Sequence, residues 1–313
     1  MALVKCLIID EMFDNLNDLL SGIGIEPSYE PNITREELIG KIGNFQGLIV
    51  RSKTRIDREV LDPAKNLKFI ARAGAGIDNI DEEVCAEKNI TIFNAPEANR
   101  DTVGEQALGM LLSLYHNLNK GDQEVRKGIW EREGNRGIEI YGKTVGIIGF
   151  GNMGQAFARR LQGFNCKIIA YDKYKSVFGT SLVSEVDLET LFEESDILSL
   201  HVPLTSDTNR MVDGKFLNRF KKSITLINTA RGKVVVLRDL IEAIHSGKVK
   251  AAALDVLENE KIDQLNEAER RDFSELIKLP NVLLTPHVAG WSFESYEKIN
   301  DILVEKIGKF IQG

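Results

Sequence analysis

"TVGIIGFGNMGQAFARRL", residues 144–161, is the stretch on which the fold turns. Its first five residues are small, β-branched or apolar and form too short a run for a helix, so they read as a buried strand. Gly149, Gly151 and Gly154 follow in G-x-G-x-x-G spacing, and a helical pattern follows them. Strand, glycine turn and helix in that order form a phosphate-binding unit. Gly149 permits the tight turn, Gly151 lets the backbone approach a pyrophosphate, and Gly154 lets the helix pack close to the strand. Phosphates then meet the free N–H groups and the positive dipole end of the helix. The next strand ends "IIAYDKYK", which places Asp172 near the spacing of roughly 20 residues at which an acid takes the ribose 2′-hydroxyl. A carboxylate there repels a 2′-phosphate and points to NAD as the cofactor. Lys173 and Lys175 keep NADP as the alternative.

The glycine fingerprint begins at residue 149 of 313, so a whole α/β segment precedes it. In that segment "VKCLIID", "GLIVR", "LKFIAR" and "ITIF" read as strands, with "TREELIGKI", opened by a capping box at Thr34 and Glu37, and "DEEVCAEK" as helices. After the fingerprint come "KIIAYD", "DILSLHV", "SITLINT", "VKAAALDV" and "NVLLTP". Alternation of this kind predicts parallel sheets covered on both faces, and the length exceeds the roughly 250–300 residues that one core serves. Between the halves, "DTVGEQALGMLLSLYHNL" predicts a helix started by a capping box at Thr102 and Glu105. It is apolar on too many sides for one stripe, as at a domain junction or subunit interface. The last segment spaces Ile299, Ile302, Leu303, Ile307, Phe310 and Ile311 as an amphipathic helix that needs a surface to cover.

With 43% hydrophobic and 28% charged residues the composition is that of a globular protein, and the net charge of −7 argues against nucleic acid or an anionic membrane as partner. No apolar run reaches the ~18–20 residues of a membrane span, and "MALVKCLIID" reads as a strand rather than a secretory signal, so the expected location is the cytoplasm. Cys6, Cys85 and Cys166 are scattered without C-x-x-C spacing, which predicts buried thiols and no metal.

Of the four histidines, His116 and His245 lie on helical patterns and read as structural. His201 closes the strand "DILSLHV" and suits the lining of a cofactor cleft. His287, in "LTPHVAG", follows a strand inside a turn bounded by proline and glycine, where α/β sheets bind ligands. Arg231 in "LINTARG" also follows a strand, and its guanidinium stays charged and can fork onto a carboxylate. Asp255, Glu258 and Glu260 in "LDVLENE" supply three carboxylates after another strand end.

Taken together, "RAGAGIDNID", "GIIGFGNMG", "HVPLTSDTNRMV", "INTARGKVV", "AALDV" and "TPHVAG" resemble the D-isomer-specific 2-hydroxyacid dehydrogenases over about residues 51–290. The resemblance implies a Rossmann NAD-binding domain, residues 99–288, inserted into a flavodoxin-like substrate-binding domain made of residues 1–98 and 289–313. It implies Arg231, Glu260 and His287 as catalytic residues. Carried over as cofactor contacts are Gly149, Gly151, Asn152, Met153, Gly154, Asp172, His201, Pro203, Thr208, Thr229, Ala230, Gly290 and, beside the nicotinamide carboxamide, Asp255. Carried over as substrate contacts are Arg51, Ser52, Arg72, Gly74, Ala75, Gly76, Asn99 and Arg132, the last from the second subunit of a homodimer. Glu260 is preferred as the acid because the family's lies five positions after the Asp. Lys261 stands where the family often has proline, which keeps Glu258 as the alternative.

The reaction so implied moves hydride between NAD and C2 of a D-2-hydroxy acid. Cations at Arg51, Lys53, Arg55, Arg72 and Arg132 point to the members that act on 3-phosphoglycerate in serine biosynthesis. Glyoxylate or hydroxypyruvate reduction is the alternative, and a non-catalytic NAD-sensing protein a distant one. A chain ending at Gly313 leads to the expectation that the C-terminal regulatory domains of longer relatives are absent.

Overall fold

In a computed structural model, which describes residues 3–313, the segment Thr144–Ile148 is a strand buried at all five positions. Burial on both faces is what a central parallel strand requires, and it explains an apolar run without polar alternation. The chain divides into two units, one of residues up to Arg100 together with Trp291–Gly313, the other Asp101–Gly290.

The first unit holds strands β1 Val4–Ile8, β2 Ile25–Tyr29, β3 Gly47–Val50, β4 Phe69–Arg72 and β5 Thr91–Asn94, all parallel, in the order β2-β1-β3-β4-β5. This is the flavodoxin-like order. One face carries Leu7, Leu48 and Ile70, and the other Cys6, Ile8, Ile49 and Phe69. The terminal helix Phe293–Gln312 opens with a capping box at Ser292 and covers the second face with Ile299, Leu303 and Ile307. Burying each of those side chains stabilises by about 1.5–3 kcal/mol, so the helix belongs energetically to the N-terminal sheet despite its distance in sequence. Phe310 meets Phe69 and Phe93 with ring centroids 6.1 and 5.5 Å away.

The second unit holds β6 Thr144–Ile148, β7 Lys167–Tyr171, β8 Ser184–Glu185, β9 Ile197–Leu200, β10 Ile224–Asn228, β11 Val249–Leu254 and β12 Val282–Leu284. They form one parallel sheet in the order β12-β11-β10-β9-β6-β7-β8, the doubly wound Rossmann arrangement with its reversal between β9 and β6. Neighbouring residues feed opposite cores: Ile148, Leu198 and Leu226 pack on one face, Ile147, Ile197 and Ile227 on the other.

Two expectations are corrected. Strand β2, "IEPSY", and the two-residue β8 lie outside the predicted set; Pro27 interrupts the β2 run, and its place at the sheet edge is where proline is tolerated. The long helix does not begin at a Thr102–Glu105 capping box; it starts at Pro96, whose fixed φ suits the first turn, and runs to Tyr115. Asn117, at φ +50°, breaks it before a second helix, Leu118–Arg126. The three cysteines are free, Cys6 and Cys85 being buried. Among the described residues no helix is long and apolar enough to cross a membrane.

Candidate active site

Because all seven strands of the second unit run the same way, the residues that follow them share one edge of the sheet. Gly149 follows β6, Asp172 follows β7, His201 follows β9, Thr229 to Arg231 follow β10, Asp255 follows β11, and Thr285 to His287 follow β12. Ligands bind at this edge in open α/β sheets, most often beside the strand-order reversal.

At the reversal two of the three glycines leave no room for a side chain. Gly149 has φ +89°, and a Cβ there would stand 2.5 Å from the His201 carbonyl oxygen; a Cβ on Gly154 would stand 2.1 Å from the Gly149 oxygen. A Cβ on Gly151 would meet nothing within 4 Å, so this is the position open to an approaching group. Asn152 and Met153 begin the helix Asn152–Arg160, whose first N–H groups point to the same place. One Asp172 oxygen accepts the Phe150 N–H at 2.8 Å, and the other accepts the Tyr174 and Lys175 N–H groups at 3.0 Å. The acid therefore ties the turn to the end of β7. Of the two cations that kept NADP in play, Lys173 is paired with Asp207 at 2.6 Å and Lys175 reaches the Phe150 oxygen at 3.3 Å.

His201 is buried, and burial pushes its imidazole down to about 3, so it is neutral at physiological pH. Its Nε2 bonds Ser199 Oγ at 2.8 Å, while its Nδ1 and the buried Thr229 Oγ1 have no partner among the described residues. Buried polar atoms left unpaired ask for a ligand. An open glycine turn, a helix N-terminus, an acid at the next strand end and two orphaned polar atoms fit NAD. Thr208 is occupied otherwise: its hydroxyl donates to the Pro203 oxygen at 2.6 Å and accepts the Thr205 N–H, closing its own loop. Ala230 is buried, its N–H held by Asn228 Oδ1 at 3.0 Å.

The three carboxylates after β11 separate cleanly. Glu260 Oε2 lies 2.9 Å from His287 Nδ1. A carboxylate only accepts, so Nδ1 carries the hydrogen and Nε2 is left for chemistry. The bond to Glu260 raises the His287 pKa above its ordinary value; desolvation and the Arg231 charge oppose, and Asp255 adds to the rise. Glu258 is spent on scaffold. One of its oxygens pairs with Arg210 at 2.8 Å, and the other accepts the N–H of Leu237, the first residue of the helix Leu237–His245. A Cβ on Gly232 would stand 1.8 Å from the Leu257 oxygen, so the Arg231 loop and the acid loop interlock.

Asp255, only 1% exposed, holds the loop that carries His287. Its Oδ1 accepts the Thr285 hydroxyl and the Val288 N–H at 3.0 Å, and its Oδ2 accepts the Ala289 N–H at 2.9 Å. The Asp255 backbone oxygen also takes the His287 N–H at 2.8 Å. These bonds bracket a histidine at φ +55°, a left-handed conformation that costs an ordinary residue about 1–3 kcal/mol. The sequence reading gave Asp255 a cofactor contact; the structure adds that most of its bonding capacity serves the His287 loop. Arg231 donates from Nη1 to the Ala230 oxygen at 2.7 Å, and Asn228 Nδ2 donates to the Arg231 oxygen at 3.1 Å. Gly290 closes the unit.

In the first unit, Arg51 and Ser52 follow β3, Arg72 is the last residue of β4, and Gly74, Ala75 and Gly76 come just after it. The Arg51 N–H donates at 2.6 Å to Asp10, a carboxyl that burial pushes upward against the pull of Lys53, Arg51 and Arg72. Asn94 Nδ2 holds the Ala75 oxygen at 2.6 Å and Asn79 Nδ2 holds the Arg51 oxygen at 2.9 Å. Asn99 Oδ1 is buried with no hydrogen-bond partner among the described residues. Arg132 belongs to the second unit, in its exposed stretch of residues 131–134. Sequence reading missed Asp10, Ser199, Trp291 and Tyr296; their only local signals were a strand-end acid, a serine two before a histidine, and aromatic residues just past "HVAG".

Residues 108–289 match the model of the D-isomer specific 2-hydroxyacid dehydrogenase NAD binding domain. A hydroxypyruvate reductase of Thermotoga maritima is 41% identical over 279 residues, covering 89% of each chain. A D-3-phosphoglycerate dehydrogenase of Methanocaldococcus jannaschii is 36% identical over 316 residues, and the match covers 99% of this chain but only 58% of that longer protein. Among solved structures, a D-lactate dehydrogenase of Aquifex aeolicus complexed with NAD and lactic acid superposes with a TM-score of 0.84 at 27% identity, over 99% of this chain and 97% of the other.

Proposed function

We propose that this chain, which belongs to the D-isomer-specific 2-hydroxyacid dehydrogenase family and takes NAD as its cofactor, interconverts 3-phosphoglycerate and 3-phosphohydroxypyruvate. The observation that carries the chemistry is the 2.9 Å contact between His287 Nδ1 and Glu260, which leaves Nε2 for the substrate. In oxidation, His287 Nε2 takes the proton of the C2 hydroxyl, and in reduction it returns that proton to the keto oxygen. Glu260 keeps the ring in one tautomer and favours the imidazolium once it forms. The Arg231 guanidinium holds carboxylate and carbonyl oxygens, a geometry its planar fork suits. NAD, when bound, would accept the hydride that leaves C2 in oxidation and return it to C2 in reduction. Thr229 and His201 offer their unpaired atoms to the cofactor, and Asp172 offers a carboxylate to its ribose. In the first unit, the backbone at Gly74, Ala75 and Gly76 is small enough to let a substrate carboxylate approach.

The phosphate end of the reading rests on Arg51, whose guanidinium has no hydrogen-bond acceptor among the described residues. A homodimer that lends Arg132, a cytoplasmic location and a place in serine biosynthesis follow as parts of the same reading. The Thermotoga maritima relative favours a second reading, reduction of unphosphorylated hydroxypyruvate. Steady-state turnover with NADH on 3-phosphohydroxypyruvate, hydroxypyruvate and glyoxylate separates them. The first reading expects the highest kcat/KM on the phosphorylated acid, and equal or higher values on hydroxypyruvate would replace it with the second. His287→Ala should lower kcat by about 10²–10⁴-fold, the usual worth of a placed acid–base group.

A further inference from the structure

Arg51 is held in an unusual way. Its guanidinium carbon lies 3.9 Å from the ring centroid of Tyr296 and 4.8 Å from that of Trp291. Those two rings meet edge to face, 5.1 Å apart at 74°, so they form a corner with the cation inside it. Ring faces attract a guanidinium electrostatically but accept none of its in-plane N–H groups. The side chain is thus fixed in direction while its donors stay unspent. Its backbone is fixed as well, through the bonds to Asp10 and Asn79. Around Asp10 gather the charges of Lys53, Arg51 and Arg72, three cations against one buried carboxyl.

We infer that Trp291 and Tyr296 are positioning residues that aim the Arg51 guanidinium at an anionic group on the substrate, and thereby set the preference for a phosphorylated over an unphosphorylated 2-keto acid. This rests on the phosphate reading above. The physical advantage is pre-organisation. A free arginine must give up rotamer freedom to bind an anion, and a stacked one has lost much of it before the anion arrives. Trp291 is 60% exposed and so contributes little to the core; its direction over Arg51 is what the rest of the fold leaves unexplained. Phe293, 92% exposed, makes no ring contact with Arg51 and serves as the control.

The test is the ratio of kcat/KM on 3-phosphohydroxypyruvate to that on hydroxypyruvate, with NADH. Each cation–π contact of about 0.5–2 kcal/mol corresponds to roughly 2- to 30-fold, so Trp291→Leu and Tyr296→Leu should each lower the ratio within that range. Trp291→Phe and Tyr296→Phe, which keep a ring face, should restore most of it, and Phe293→Leu should leave it alone. A second measurement does not depend on turnover. In Trp130→Phe, Trp291 is the sole tryptophan, and inorganic phosphate should change its fluorescence, but not after Arg51→Ala. Leucine variants with the wild-type ratio, beside an Arg51→Ala enzyme that has lost it, would overturn the clamp and leave the phosphate reading standing. A ratio unchanged in Arg51→Ala would overturn both.

Discussion

Replacing Asp255 by Asn tests how the candidate base is held. The substitution keeps shape and exchanges one acceptor oxygen for an NH2 donor at a site 1% exposed. Turned one way, the NH2 faces the Ala289 N–H; turned the other, it faces the Thr285 hydroxyl and the Val288 N–H. The first arrangement is the cheaper. It still loses a bond to a charged acceptor, about 1.5–3 kcal/mol, and leaves a buried N–H unpaired, about 1–3 kcal/mol. These losses overlap, so the expected cost is about 3 kcal/mol. For a unit of this size that is a fall in Tm of roughly 6–12 °C. The loop that carries His287 then loses a support for its left-handed backbone, and a misplacement near 1 Å costs on the order of 10²-fold in kcat. Thermal unfolding by circular dichroism and steady-state kinetics read the two effects. An unshifted Tm with a raised KM for NAD alone would refute the reasoning, since it would make Asp255 a cofactor contact and nothing more.

Further outcomes follow from the same geometry. Glu260→Gln removes the largest cause of the raised His287 pKa, so the alkaline limb of the reductive pH–rate profile, which needs the imidazolium, should move to lower pH; an unmoved limb counts against the pair. The stability that this raised pKa provides is present below the ordinary histidine range and fades as pH rises through the raised value, and the variant should lack that dependence. Glu258→Ala loses an ion pair and a helix-end acceptor, and should cost about 1–2 kcal/mol in urea unfolding while leaving the pH profile in place. His201, pushed down to about 3, stays neutral in the fold while the unfolded chain protonates it. Stability should therefore fall by about 1.4 kcal/mol per pH unit between pH ~6 and ~4 on its account, a slope that His201→Gln removes. Val177, at φ +60° and 95% exposed, is a β-branched residue in left-handed backbone, so Val177→Asn should stabilise by about 1 kcal/mol in the same assay.

What the sequence determined by itself is local. The glycine fingerprint, the Thr34–Glu37 capping box and the strand–helix alternation act over a few residues, and the backbone obeys them wherever the chain goes. Local signals also misled where a competing one was stronger: Pro96 starts a helix six residues before Thr102, and an edge position admits the proline of β2. Within "LDVLENE", the family resemblance points to Glu260 but gives no physical reason to set Glu258 aside. Only tertiary structure does so, because Glu258 finds Arg210 and the Leu237 N–H while Glu260 finds His287, and none of these partners is near in sequence. The same holds for Arg51 against Trp291 and Tyr296, which the terminal helix brings to the first sheet by burying Ile299, Leu303 and Ile307. Spacing sets which residues follow a strand, whereas the direction of a side chain past that point depends on which donors and acceptors the fold has packed around it.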